Sequence, residues 1–330
     1  MDRRTFTSTL AAGLALPVAG FSAPAPRRPV LPPRVKKGDM VGLVTPASYI
    51  DDESLERAYR QIEGLGLVVK PGRYLRAQQG YLAGSDQERL DDLHAMFADR
   101  SVKAVWCARG GYGSARLLPK LNLDLIRRNP KILLGYSDIT ALLNVISRDT
   151  GLVTYHGPVG NSELTPYTER YLRAAIMEGS DWERIELPDD ATGHYIIHPG
   201  QASGTLWGGN LSLLAAMAGT DFAPPVAGNL LFMEEVGEKP YRIDRMLTTL
   251  RQAWKLQTAA GIVLGKFADC EPDAGDRSLS LRETLTDRLG DLGIPVAYGL
   301  PIGHIKDMCT LPVGATVKFN GLDLNLQPVV

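Results

Sequence analysis

A chain of 330 residues with 44% apolar content is long enough to bury the cores of two compact units. Lys plus Arg number 36 against 37 for Asp plus Glu, so the formal net charge is −1. No strong field then draws nucleic acid or an anionic membrane surface, and small neutral or zwitterionic substrates fit better. Three widely separated cysteines, Cys107, Cys270 and Cys309, form neither a disulfide framework nor a zinc-ligand pattern and read as buried, inert thiols.

Arg3-Arg4 precede an apolar run over 10–21 that ends in Ser22-Ala23-Pro24-Ala25-Pro26. This is the outline of a secretory signal peptide over 1–25, with an apolar part too short to span a bilayer in the mature protein. The paired arginines predict twin-arginine export to the periplasm. Residues 26–35 then read as a Pro-rich linker, and the fold begins near Val35.

From Met40 onward, short apolar runs alternate with helical periodicity. Met40-Val41-Gly42-Leu43-Val44 reads as a strand, 51–65 as a helix and Leu67-Val68-Val69 as a second apolar run. A helix over 85–97 opens with Ser85 and Glu88 at the capping-box spacing, and strands follow at 104–107 and 132–134. Strands separated by helices of ten or more residues predict a parallel sheet covered on both faces. The first domain, 36–165, is therefore a doubly wound, flavodoxin- or Rossmann-like α/β unit.

Beyond Tyr155, a polar helix over 166–177 starting at Pro166 and an acidic stretch over 181–193 form a connector, 166–200. The second domain, 201–330, reads as α+β with a small, partial-barrel sheet. It contains a Gly-rich segment at 204–210, strands at 230–233 and 262–264, and a helix over 242–254. Two alternating runs, 316–319 and 322–326, joined by Asn320-Gly321, predict a terminal hairpin.

Residues 131–143 read as a buried strand, a sharp turn carrying Ser137, and a helix. A serine so placed projects its hydroxyl from the carboxyl edge of the sheet, beside the free amides of the helix's first turn. Ile139 stands where the G-x-S-x-G nucleophile elbow requires glycine, which argues against an α/β-hydrolase. On local grounds Ser137 reads first as a helix N-cap, with Asp138 favourable at a helix N-terminus. Arg109-Gly110-Gly111-Tyr112-Gly113 follows the strand at 104–107 and offers unobstructed backbone amides at the same sheet edge. It lacks the spacing of a phosphate-binding loop.

A serine nucleophile needs a base, and the chain has five histidines. His94 lies on a mixed polar helix, His194 and His198 face outward around a short strand, and His156 reads as a site-lining residue. His304 follows the apolar stretch 294–303 and stands where a base is needed, although a loop histidine satisfied by backbone is equally consistent. The strand at 230–233 ends in Glu234-Glu235; either acid can orient an imidazole, and both can simply be solvated.

Taken together, these blocks resemble the LD-carboxypeptidase family, which includes muramoyl-tetrapeptide carboxypeptidases and microcin-immunity peptidases. The resemblance rests on Lys37-Gly38-Asp39, Pro46-Ala47-Ser48, Ala83-Gly84-Ser85, and the segments 109–113, 135–140, 204–210, 234–245 and Gly303-His304. It implies a Ser-Glu-His triad of Ser137, Glu234 rather than Glu235, and His304, with an oxyanion hole from the amides of Gly111 and Asp138. It also implies release of the C-terminal D-alanine from peptidoglycan-derived tetrapeptides through an acyl-enzyme, with no metal or cofactor, in a homodimer. Arg109, Tyr112 and Asn210 are the candidates for substrate binding, and Arg242 and Arg245 read as structural. The other expectations are hydrolysis of peptidyl-nucleotide antibiotics, as in the microcin-immunity relatives, or muropeptide binding without catalysis.

Overall fold

The computed structural model describes residues 28–179, 184–321 and 325–329, so the expected signal peptide lies outside the described residues. In chain order the elements are β1 (Met40–Val44), α1 (Asp52–Gly64), β2 (Val68–Pro71), α2 (Asp86–Ala98), β3 (Val102–Cys107), α3 (Leu123–Arg128) and β4 (Ile132–Gly135). They continue with α4 (Thr140–Thr150), β5 (Thr154–His156), α5 (Pro166–Ile176), β6 (Tyr195–His198), β7 (Gln201–Asn210), α6 (Leu211–Met217) and β8 (Leu230–Val236). The last are α7 (Pro240–Trp254), β9 (Gly261–Ala268), α8 (Leu281–Leu289), β10 (Val296–Tyr298), β11 (Leu311–Val313), β12 (Thr316–Asn320) and β13 (Asn325–Pro328).

The first sheet has the order β11-β5-β4-β3-β1-β2, with every strand parallel except β11, which runs antiparallel to β5. Its central strands are buried along most of their length because helices cover both faces, as the continuous apolar runs require. Helix α2 starts on the expected reciprocal cap: Ser85 Oγ accepts from Glu88 N, and Glu88 accepts from Ser85 N.

The second sheet is a curled, half-barrel sheet of seven strands in the order β13-β12-β7-β8-β9-β10-β6. Strands β7 to β10 are parallel and are linked by crossover helices α6, α7 and α8. The Gly-rich segment at 204–210 is therefore the inner end of a ten-residue strand. At the C-terminus β12 and β13 pair antiparallel as expected, but Asn320 lies within the pairing, opposite Asn325, rather than in a two-residue Asn-Gly turn.

The two sheets are fastened along α4. Asn144 Nδ2 donates to Gly208 O at 2.8 Å while its Oδ1 accepts from Gly208 N at 3.2 Å, and Ser147 Oγ donates to Val313 O at 3.1 Å. One buried apolar cluster runs from Val44 and Leu133 in the first sheet to Leu231 and Val317 in the second. Helix α5, expected as part of a connector, packs Leu172 and Ala175 into the core that holds Val41 and Trp106. The expected linker is also docked from Val30 on: Val30 N donates to Gly151 O, and Val35 is fully buried. All three cysteines are buried and unpaired, and among the described residues no helix is long and apolar enough to cross a membrane.

Candidate active site

The two serine-bearing and glycine-bearing turns meet at the carboxyl edge of the first sheet. After β4, Ser137 adopts φ 63°, a left-handed conformation that non-glycine residues rarely hold without a tertiary reason. It opens a 3-10 turn over Ser137–Ile139, and α4 follows. Among the described residues its hydroxyl caps no helix amide, so the local N-cap expectation is not what the side chain does.

The neighbouring turn after β3 packs directly on this serine: a Cβ added to Gly110 would lie 3.1 Å from Ser137 Oγ. Gly111 has φ 110°, and a Cβ there would lie 2.3 Å from Ser48 Oγ, so only glycine fits. Ser48 Oγ in turn accepts from Tyr112 N at 3.0 Å. Among the described residues the Gly111 amide donates to no protein acceptor. Asp138, directly after the serine, is buried, and its Oδ2 accepts from Ser114 N at 2.7 Å. Burial pushes its carboxyl above the usual range, opposed by the facing N–H groups of Ser114 and Gly113.

The second sheet contributes an acid and an imidazole. Glu234 lies near the end of β8 and is completely buried, with Oε2 2.7 Å from His304 Nδ1. Here the β8–β9 register slips: Met233 faces Leu264, whereas Glu235 faces Phe267. The extra β9 residues include Lys266, whose N–H donates to Ile302 O at 2.9 Å and thereby anchors the segment that carries His304. Gly303 has φ 112°, and a Cβ there would fall 2.8 Å from Glu234 Oε2. Burial raises the Glu234 pKa, and the hydrogen bond from His304 pulls the other way.

Glu235 faces elsewhere, accepting from Asn210 Nδ2 at 2.9 Å and from the amide and hydroxyl of Ser212 at 2.8 and 2.6 Å. Of the two acids that sequence left open, only Glu234 meets His304. The imidazole reaches the serine turn through Tyr136, whose ring centroid is 4.8 Å from that of His304. No hydrogen bond joins Ser137 to His304; the residues are brought to one locus but not into a closed relay.

None of the remaining histidines hydrogen-bonds this pair among the described residues. His94 Nε2 accepts from Asn122 N, His198 is held by the Pro199 carbonyl, and His194 is exposed. His156 is fully buried edge-on to Phe232, its ring nitrogens without partners among the described residues. Burial, aided by His304, pushes its pKa down to about 3, so it is neutral at ordinary pH. Arg109 donates to Tyr49 O at 2.9 Å, and Tyr112 is exposed with its ring edge-on to Tyr81. Asn210 is buried instead, its Oδ1 capping α6 at Leu213 N while Nδ2 holds Glu235. Sequence reasoning missed Arg89, a buried arginine behind the glycine turn. Among the described residues no three His, Cys, Asp or Glu side chains converge as metal ligands.

Two family profiles match, for the LD-carboxypeptidase N-terminal domain over 41–157 and the LD-carboxypeptidase C-terminal domain over 203–319. The chain belongs to the LD-carboxypeptidase family. It is 44% identical over 294 residues to the probable murein peptide carboxypeptidase of Bacillus subtilis strain 168, covering 88% of this chain and 91% of that one. It is 37% identical over 296 residues to the murein tetrapeptide carboxypeptidase of Pseudomonas aeruginosa PAO1, covering 85% and 93%. The structure of MccF in complex with glutamyl sulfamoyl guanosine aligns with a TM-score of 0.81 at 26% identity, covering 92% and 99%. The LD-carboxypeptidase match divides the site: Ser137 and the glycine turn fall in the N-terminal domain, Glu234 and His304 in the C-terminal one.

Proposed function

We propose that this protein is a serine carboxypeptidase that releases the C-terminal D-alanine of peptidoglycan-derived tetrapeptides through an acyl-enzyme. The observation that carries the reading is the 2.7 Å contact between the fully buried Glu234 carboxylate and His304, set against the strained Ser137 turn. With Nδ1–H donated to Glu234, the imidazole keeps a lone pair on Nε2 for the Ser137 proton. Ser137 Oγ attacks the scissile carbonyl, and the amides of Gly111 and Asp138 stabilise the oxyanion. His304 then protonates the departing amine of D-alanine. Water, deprotonated by the same nitrogen, releases the shortened peptide, and Glu234 stabilises the imidazolium in both halves.

The substrate assignment draws on the relative named as a murein tetrapeptide carboxypeptidase and on the near-neutral charge of the chain. In this reading Arg109 and Tyr112, surface residues of the glycine turn, meet the peptide and its terminal carboxylate. Export through a twin-arginine signal belongs to the same proposal and rests on Arg3-Arg4 and the apolar run behind them. A second reading, hydrolysis of an aminoacyl nucleotide analogue, is favoured by the structural likeness to MccF bound to glutamyl sulfamoyl guanosine.

One experiment separates the two readings. The protein is incubated in parallel with L-Ala-D-Glu-diaminopimelate-D-Ala and with an aminoacyl sulfamoyl nucleoside, and products are followed by mass spectrometry. Release of D-alanine with the nucleoside intact supports the proposal; turnover of the nucleoside alone replaces it with the second reading.

A further inference from the structure

Arg89 sits on α2 with no side-chain exposure, between the loop after β1 and the glycine turn after β3. Its Nη1 donates to Pro46 O at 2.7 Å and to Gly113 O at 2.9 Å, and Nη2 donates to Asp86 Oδ1 at 2.5 Å. A guanidinium stays charged even when buried, and an apolar side chain would fill such a site with a smaller desolvation cost. The burial therefore calls for a role beyond filling space.

The carbonyl of Gly113 and the N–H of Ser114 belong to one peptide unit. Its oxygen is held by buried Arg89, and its hydrogen by the carboxylate of buried Asp138 at 2.7 Å. Both hydrogen bonds are charge-assisted, and opposite charges at the two ends line up with the peptide dipole. Ser114 Oγ completes the grip by donating to the backbone carbonyl of Asp138. Gly113 has φ 124°, so nothing in its own conformational preference fixes this peptide plane. Asp138 is the residue after Ser137, and Gly111 lies two residues before Gly113. Clamping the 113–114 peptide thus sets the distance between the two amides assigned to the oxyanion.

We propose that Arg89 and the side chain of Asp138 are positioning residues that lock the glycine turn against the Ser137 turn and preorganise the oxyanion site. The inference rests on the serine-carboxypeptidase reading above. Each group acts through the shared peptide, so removing either loosens the same element. Removing both then adds little to removing one.

The test uses Arg89→Met, Arg89→Lys, Asp138→Ala, Asp138→Asn, Ser114→Ala and the Arg89→Met/Asp138→Ala double variant. Each is measured for kcat and KM on the tetrapeptide, for the rate of Ser137 labelling by a fluorophosphonate, and for Tm. The expected result is a fall in kcat of about 100-fold for Arg89→Met and Asp138→Ala with KM within about threefold, the loss typical of a misplaced oxyanion donor. Asp138→Asn, which keeps an oxygen for Ser114 N–H, recovers at least tenfold over Asp138→Ala, and the double variant is no worse than about threefold below the poorer single one. Labelling rates follow the same order.

If Arg89→Met does not fold, Arg89→Lys and Ser114→Ala carry the comparison, with losses of about tenfold expected from weakened clamping. Values of kcat and labelling rates within threefold of the unmodified protein, measured well below every Tm, overturn the proposal, as does a change confined to KM. Failure of the unmodified protein to release D-alanine while Ser137 still labels rejects the substrate assignment alone, and the labelling series then decides the clamp. Failure to label as well removes both.

Discussion

His304 Nδ1 lies 2.7 Å from Oε2 of Glu234, joining a half-buried imidazole to a carboxylate with no solvent exposure. Glu234 Oε1 has no partner among the described residues, so the charge is held chiefly by the histidine. Burying a carboxylate that leaves one oxygen unpaired is unfavourable for folding, and the raised pKa of Glu234 expresses that cost. A geometry kept against stability is what a functional pair requires.

Glu234→Gln is expected to lower kcat by about 10⁴-fold, as for loss of the orienting acid in other triads. The same change is expected to raise Tm, because an amide replaces a desolvated charge. The sign follows from linkage: a carboxyl whose folded pKa is raised loses stability as pH rises from its unfolded pKa through its folded one. The Tm advantage of Glu234→Gln therefore grows as pH is raised from 4 toward 8. Differential scanning calorimetry across that range checks it, and a lower Tm at pH 8 contradicts it.

Gly111→Ala places a methyl 2.3 Å from Ser48 Oγ at φ 110°. The turn must shift, carrying away the amide assigned to the oxyanion. Steady-state kinetics are expected to show kcat reduced about 100-fold or more with a smaller change in KM. Equal activity would mean that this amide takes no part in the reaction.

His156 supplies a pH signature independent of catalysis. Its pKa is about 3 in the folded chain against an ordinary 6.5, so between these values the unfolded chain binds a proton that the folded one does not. Stability contributed by this site is present above pH 6.5 and falls as pH drops toward 3, by up to about 1.4 kcal/mol per unit. His156→Phe is expected to flatten the decline of Tm between pH 6.5 and pH 4. An unchanged slope would show that another group governs acid unfolding.

Much of the first domain was legible because its signals are local. The capping box at Ser85 and Glu88, the apolar strands and the glycine turn after β3 each depend on residues close in sequence. Glu234 could not be chosen over Glu235 from alternation, because the register slip with β9 lies at this strand end. The ten-residue β7 was legible only as a Gly-rich segment, since its strand geometry comes from pairing with β8 and β12 rather than from propensity.

Other features needed the tertiary structure outright. Arg89 sits in a helix with many charged residues, where composition predicts a solvated side chain, and only the carbonyls of Pro46 and Gly113 explain its burial. The left-handed Ser137 is invisible in a sequence without glycine at that position. The approach of His304 to the serine turn depends on contacts between segments about 170 residues apart in the chain.

The central claim is that Ser137 is the nucleophile, and D-alanine release from the tetrapeptide by Ser137→Ala tests it most directly. Ser137→Ala is expected to lose about 10⁴- to 10⁶-fold in rate with unchanged Tm, and to form no fluorophosphonate adduct. Release at the rate of the unmodified protein, by a variant with the same fold, would contradict it.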